Sequence, residues 1–386
     1  MAADSRPDLI PYRLPLSMPV KTIHRDAPGA LPADVRQHCE RFGLNVRTLL
    51  TTEQSNAKLK KGVALARSSG VHHLPAKSLA RAITPDNPDQ TAVRAFIPSL
   101  FELAESQGLT AQALAHNGCP WATVGCGGVD GQHGGGCLNW SGHGGLNVTV
   151  AAARGRRTLA MIANPSLYGR AILWAVLRHH RAAVADGVLQ SLRLRLTDEG
   201  PACGWHRLPI SLSNSESVSI RDRYGVDLPA GVETMAARLQ CLPSLRWMEY
   251  TKVGLRGPLG LIAQRDAGCD VTASFAADRF SGVRDGLAAL SCGFRLAVPV
   301  HICKGDPLPS AVRFTAGDQT VIVATVDGDR HDHRWMDPQG PDRCIVLLRT
   351  KISRGRDPAV SDPFSLAAHD LPQHLADGIV QLIWPD

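Results

Sequence analysis

The sequence predicts an α/β protein, a partial or complete (β/α) barrel with mostly parallel strands behind an N-terminal arm. Three observations carry this. Short apolar runs of strand length recur through the second half of the chain, and helical stretches lie between several of them. Polar clusters also sit just past several strand ends, where barrel active sites form. An open doubly wound sheet is the alternative. At 386 residues the chain has room for one large domain or two modest ones.

Residues 1–55 read as the arm, rich in Pro, Asp and Arg, with a short helix over Ala33–Phe42. The barrel-like domain takes 56–386. It opens with a short strand over Val71–Leu74, then an insertion at about 77–117 with helices over Phe96–Ala104 and Ala111–His116. Val148–Asp186 reads as helix broken at Asn164-Pro165, since proline lacks the amide donor and restricts the residue before it. Strands are expected at Leu192–Leu196, Leu208–Leu212, Leu245–Tyr250, Val271–Phe275, Phe294–Ile302, Thr320–Val326 and Ile345–Leu348. Helices are expected at Val232–Cys241, Gly282–Leu290 and Leu366–Leu382, the last split by Pro372.

Between the insertion and the first long helix lies the most informative stretch, Cys119-Pro-Trp-Ala-Thr-Val-Gly-Cys126 continuing through a glycine-rich run to Cys137. Glycine at this density lets a backbone wrap closely around something small. Thiolates are soft ligands for zinc or an iron–sulfur cluster. Cys119, Cys126 and Cys137 are the candidate metal ligands, and three of them leave a coordination position open. The spacing C-x6-C-x10-C matches neither paired CxxC knuckles nor the C-x3-C-x2-C of radical S-adenosylmethionine enzymes. A structural zinc completed by His116, His133 or His143 competes with this reading, as do thiols that pack without metal. The other seven of the ten cysteines are scattered singly and read mostly as small buried hydrophobes, with Cys303, beside Lys304, the least typical.

Two clusters supply candidate catalytic groups. In Asn214-Ser215-Glu216, past the Leu208–Leu212 strand, Glu216 can take a proton while Asn214 and Ser215 anchor a cofactor. The competing reading is a helix N-cap followed by its capping glutamate. In Glu249-Tyr250-Thr251-Lys252, Tyr250 can stack or donate a proton and Lys252 suits a phosphate, against the plainer reading of a snorkelling strand-end lysine. A third cluster, Asp327–Asp337, has four aspartates and two histidines that suit a hard cation. Arg330 and Arg334 lie among them, which points equally to a salt-bridged turn.

The formal charge of +7 favours polyanionic partners, nucleic acid or nucleotide, although a solvated arginine-rich helix face gives the same charge. No run approaches the roughly 18 apolar residues of a membrane span, so no membrane partner is expected. Asp4 and Asp8 interrupt the N-terminal segment, which speaks against a secretory signal and for the host-cell cytoplasm.

Several motifs in this order resemble an uncharacterised family of bacteriophage and prophage proteins of the gene-88 type. They are Asn56-Ala-Lys with His73-Leu-Pro-Ala76; Cys119-Pro-Trp-Ala with Cys126 and Cys137; Arg154 with Arg157-Thr158; Pro243 with Glu249-Tyr250-Thr251-Lys252; Thr272-Ala-Ser274-Phe275; and Asp327-Gly-Asp329 with Asp332, Arg334 and Asp337-Pro338. The resemblance spans about 55–355. Departures are a lengthened Cys126–Cys137 spacing and Glu216 where an aspartate is expected. It implies a phage setting and a shared site rather than a reaction.

The leading expectation is a metal- or iron–sulfur-dependent enzyme that modifies a nucleotide or nucleic-acid base. S-adenosylmethionine is a candidate cofactor, although no glycine-rich strand end for it is recognisable. The alternative is a zinc-stabilised nucleic-acid-binding or host-takeover protein without catalysis. A zinc deaminase lacks its His-x-Glu and Pro-Cys-x-x-Cys pair here.

Overall fold

A computed structural model describes residues 31–52, 66–70, 91–115, 148–194, 203–302, 305–331, 333–349, 365–369 and 371–385. The cysteine segment and the Val71–Leu74 strand expectation fall outside the described residues. The first strand pair among the described residues is β1 (Thr51–Thr52) antiparallel to β2 (Ala66–Gly70).

Helix Ala33–Arg41 buries Val35 and Cys39 against helix Pro165–Ala185. The expected break at Asn164-Pro165 is present, with helix Val148–Ala163 ending just before it. Asn164 is extended, and its side chain accepts from Leu167 N at 3.0 Å, while Pro165 fills a first-turn position that needs no amide. The next helix is apolar over most of its circumference because it lies between the sheet and a second layer.

The sheet continues with β3 (Leu189–Arg193), β6 (Leu245–Thr251), β7 (Asp270–Ser274) and β8 (Arg295–Val300), then β11 (Ile345–Arg349) and β10 (Gln319–Asp327). From β2 to β10 all these neighbours are parallel. Helices Met235–Gln240, Leu261–Asp266 and Gly282–Ser291 join Pro165–Ala185 in packing on the sheet. From β2 to β11 the strands advance in chain order without the midway reversal of a doubly wound sheet. One-way right-handed crossovers place their helices on a single face.

The sheet does not close. β10 turns antiparallel onto β9 (Ala311–Ala316), which pairs with β13 (Gly378–Ile383) and then β12 (Gln373–Leu375), leaving β1 and β12 as edges. A complete barrel is therefore corrected to an open, mostly parallel sheet. The expected helix over Leu366–Leu382 is also corrected, to the β12–β13 hairpin. Val380 and Leu382 alternate inward, and Asp377-Gly378 lies at the turn. A Cβ on Gly378 would meet Thr315 O at 2.4 Å, so only glycine permits this approach.

The Leu208–Leu212 strand does not join the main sheet either. As β4 (Pro209–Leu212) it pairs antiparallel with β5 (Gly231–Thr234), which takes the first part of the expected Val232–Cys241 helix. Thr234 caps the remainder, accepting from Ala237 N at 3.2 Å. The fully buried Arg238 ties the pair together by donating to the carbonyls of Pro229, Gly231 and Ile210.

Strand alternation gives the parallel sheet two unlike faces. Leu192, Trp247, Val271, Leu296, Val298 and Ile345 face the helices in the main core. The opposite face carries Ser191, Arg193, Met248, Tyr250, Thr272 and Arg295, with a small second core of Met248, Tyr250, Ala297, Cys344 and Val346. The β10–β11 connection crosses this face, its turn Arg334–Met336 touching β6 and β7.

Candidate functional site

The polar face is assembled strand by strand from residues in register. Arg193, the last residue of β3, pairs with Met248 and lays its guanidinium over the Tyr250 ring, 4.7 Å from the centroid. That is cation–π distance, and Tyr250 is buried enough for the attraction to matter. Gly70, which ends β2, pairs with Arg193. Tyr250 in turn neighbours Thr272, and Thr272 neighbours Arg295.

Arg295 is fully buried and fully engaged. It pairs with Asp270 and donates to Thr272 Oγ1 at 3.3 Å, to the Arg334 carbonyl at 2.5 Å and to the Asp337 carbonyl at 3.1 Å. Arg334, equally buried, pairs with Asp337 Oδ2 at 2.7 Å and donates to the His331 carbonyl. Desolvation lowers the Arg295 pKa and raises that of the Asp337 carboxyl, the latter against the pull of Arg334 and Arg295. Desolvation also lifts the Cys344 thiol to about 12, so it stays protonated. These groups clamp the connection onto the sheet.

At the C-terminal ends of the strands, Lys252 follows β6, and its carbonyl accepts from Arg279 Nη1 at 2.7 Å. Across the sheet, Asp327 Oδ1 accepts from Arg349 Nη1 at 3.0 Å and from Asp329 N at 2.9 Å, while Asp329 Oδ2 accepts from Arg349 N at 3.1 Å. The described part of Asp327–Asp337 is thus laced by ion pairs and backbone bonds, the salt-bridged arrangement.

The candidate residues from sequence separate in space. Glu216 is the third residue of helix Asn214–Tyr224, in a capping box with Ser213. Its Oε2 accepts from Ser213 N at 2.8 Å, and its Oε1 pairs with Arg170 at 2.6 Å. Ser215 Oγ lies 3.0 Å from Ser213 Oγ, and Asn214 opens the helix. Arg170 belongs to the Pro165–Ala185 helix on the apolar face of the sheet, whereas Tyr250 lies on the other face. The structure places Lys252 just past the strand that carries Tyr250 and sets Glu216, Asn214 and Ser215 apart from Tyr250 across the sheet.

Cys119, Cys126 and Cys137 lie outside the described residues, and among the described residues no group of three or more His, Cys, Asp or Glu is placed to hold a metal. Of the scattered cysteines, Cys39, Cys269 and Cys344 are buried as expected. Cys241 and Cys292 are exposed at helix ends, which corrects that expectation for these two. Arg193, Thr272 and Arg295 stand on the polar face, and the sequence reading named none of them as a candidate catalytic or binding residue. The signal for Thr272 was the polar residue at every second position of Asp270–Ser274; Arg295 showed only as a charge opening an apolar run, and Arg193 carried no such pattern.

No family model, curated protein or solved structure matches the chain. Among the described residues no helix is long and apolar enough to cross a membrane.

Proposed function

We propose that the chain is a metal- or iron–sulfur-dependent enzyme of a phage or prophage setting that modifies a nucleotide or nucleic-acid base, and that its open sheet acts as part of a barrel. One observation carries this reading: Arg193, at the end of β3, lies over the Tyr250 ring, and Lys252 follows just past the strand that carries Tyr250. The polar face so formed lies at the strand ends where parallel α/β proteins place their chemistry, and the segment with the soft ligands falls between helix Thr110–Ala115 and helix Val148–Ala163.

The roles follow from chemistry. Arg193 and Lys252 attract the phosphate of an anionic substrate, and Tyr250 is the proton donor or stacking surface nearest them. Three thiolates suit zinc or an iron–sulfur cluster, which when bound supplies Lewis-acid or electron-transfer chemistry. Glu216 holds the outer helix through Ser213 and Arg170.

Anaerobic purification with a visible spectrum and metal analysis tests the reading. Brown protein with iron and sulfide, lost on Cys126→Ser, supports the cluster enzyme. A colourless protein with one zinc moves the assignment to a zinc enzyme or a zinc-stabilised nucleic-acid-binding protein, and metal-free protein overturns it.

A further inference from the structure

We infer that Phe280 is a stacking platform for an unpaired base of single-stranded nucleic acid, which rests on the reading above and names its substrate class. Phe280 is 80 % exposed, and among the described large hydrophobics left in solvent it is the one aromatic; Val232, Leu371 and Ile322 are aliphatic. A lone exposed apolar side chain needs no explanation by itself. Three facts set this one apart.

The first is its place, on the turn between β7 and helix Gly282–Ser291, at the same strand ends as Lys252. The second is rigidity. Arg279 N donates to Ala276 O, and Gly282 N donates back to Arg279 O at 3.1 Å. A Cβ on Gly282 would lie 2.6 Å from Ala276 O, so the turn closes this tightly only with glycine. Phe280 is thus carried into water by a turn whose backbone has little freedom, so stacking the ring costs little backbone entropy. The third is charge. Arg279, next to Phe280 in the chain, donates to the Lys252 carbonyl at 2.7 Å and pairs with Asp285 at 3.2 Å, which holds a guanidinium on the turn that carries the ring and ties that turn to the end of β6. An aromatic face next to a fixed cation is the combination that binds single strands, one part taking the base and the other the phosphate.

The test uses the full chain and a fluorescein-labelled oligothymidylate of about 15 nucleotides, read by anisotropy at low salt. Phe280→Ala and Phe280→Leu should each weaken binding about 5- to 100-fold, and Phe280→Trp should retain it, with its fluorescence quenched by the oligonucleotide. The melting temperature should not move, because the side chain is exposed. Wild-type affinity in Phe280→Leu, or no binding by the wild type, overturns the inference. Displacement of the oligonucleotide by thymidine monophosphate at equal affinity overturns the single-strand assignment in favour of a free nucleotide. Metal content is measured on the same samples. Loss of oligonucleotide binding with metal retained isolates the stacking site, and metal-free wild-type protein that still binds in a Phe280-dependent way sinks only the metal reading.

Discussion

Arg295 donates to the carbonyl oxygen of Arg334 at 2.5 Å, and neither side chain reaches solvent. Two buried cations in one network are tolerable only because Asp270 pairs with the first and Asp337 with the second. Arg295→Met should therefore lower stability by about 3–5 kcal/mol, because it strands the Asp270 carboxylate and removes the donor to two carbonyls. Urea denaturation measures this. A midpoint unchanged from wild type would show that the network does not hold the connection down.

The ion-paired turn after β10 gives a smaller expectation. Asp329→Asn weakens its acceptance from the Arg349 amide and should cost about 1 kcal/mol. Oligonucleotide binding should stay at the wild-type value, since the group serves the turn. A loss of binding at unaltered stability would reassign the cluster to ligand contact.

Three buried histidines set a pH dependence. His38 lies 3.0 Å from the Ala160 carbonyl, His180 3.1 Å from Gln190 Oε1 and His206 3.0 Å from the Pro258 carbonyl. Desolvation lowers the pKa of each. The unfolded chain then binds protons near pH 6.5 while the folded one still refuses them. Stability is thus complete above about pH 6.5 and falls as pH drops toward the lowered folded values, by at most about 1.4 kcal/mol per pH unit for each histidine. His180→Gln should flatten the curve between about pH 6.5 and 5. A wild-type midpoint constant over that window contradicts the assignment.

What the sequence revealed and hid has physical causes. Asn164-Pro165 announced a helix break because proline's missing donor acts locally, and the buried parallel strands announced themselves as apolar runs. The Leu366–Leu382 segment misled because its apolar residues fit a helical spacing about as well as alternation. The Asp377-Gly378 turn settles it, and Asp377 also accepts from Val283 N and Arg284 N at the start of a distant helix. β9 was missed although Gly317-Asp318, between two runs of strand length, is a hairpin signal. The capping box of Glu216 was legible as Ser-x-x-Glu, but its pairing with Arg170 joins residues 46 apart, which no local pattern encodes. Arg193 over Tyr250 depends on strand order and could be read only from the sheet.

Substitutions at Glu216 and Arg193 test the proposed division between a structural carboxylate and a phosphate-binding cation. Glu216→Ala removes a capping acceptor and leaves Arg170 with the exposed Asp34 in place of two carboxylates, so it should cost about 2–3 kcal/mol in stability. The folded fraction should bind oligonucleotide as wild type does. Arg193→Met keeps an apolar chain over the Tyr250 ring and removes the charge. Affinity should fall, and the slope of log K against log salt should shrink by about 0.7, the value for one lost phosphate contact on a single strand. Lys252→Ala should shrink it by a similar amount. Tyr250→Phe should leave the slope unchanged because it removes no cation. An unaltered salt slope in both Arg193→Met and Lys252→Ala would take the phosphate away from the polar face, while a reduced slope in Glu216→Ala would restore that residue to the site.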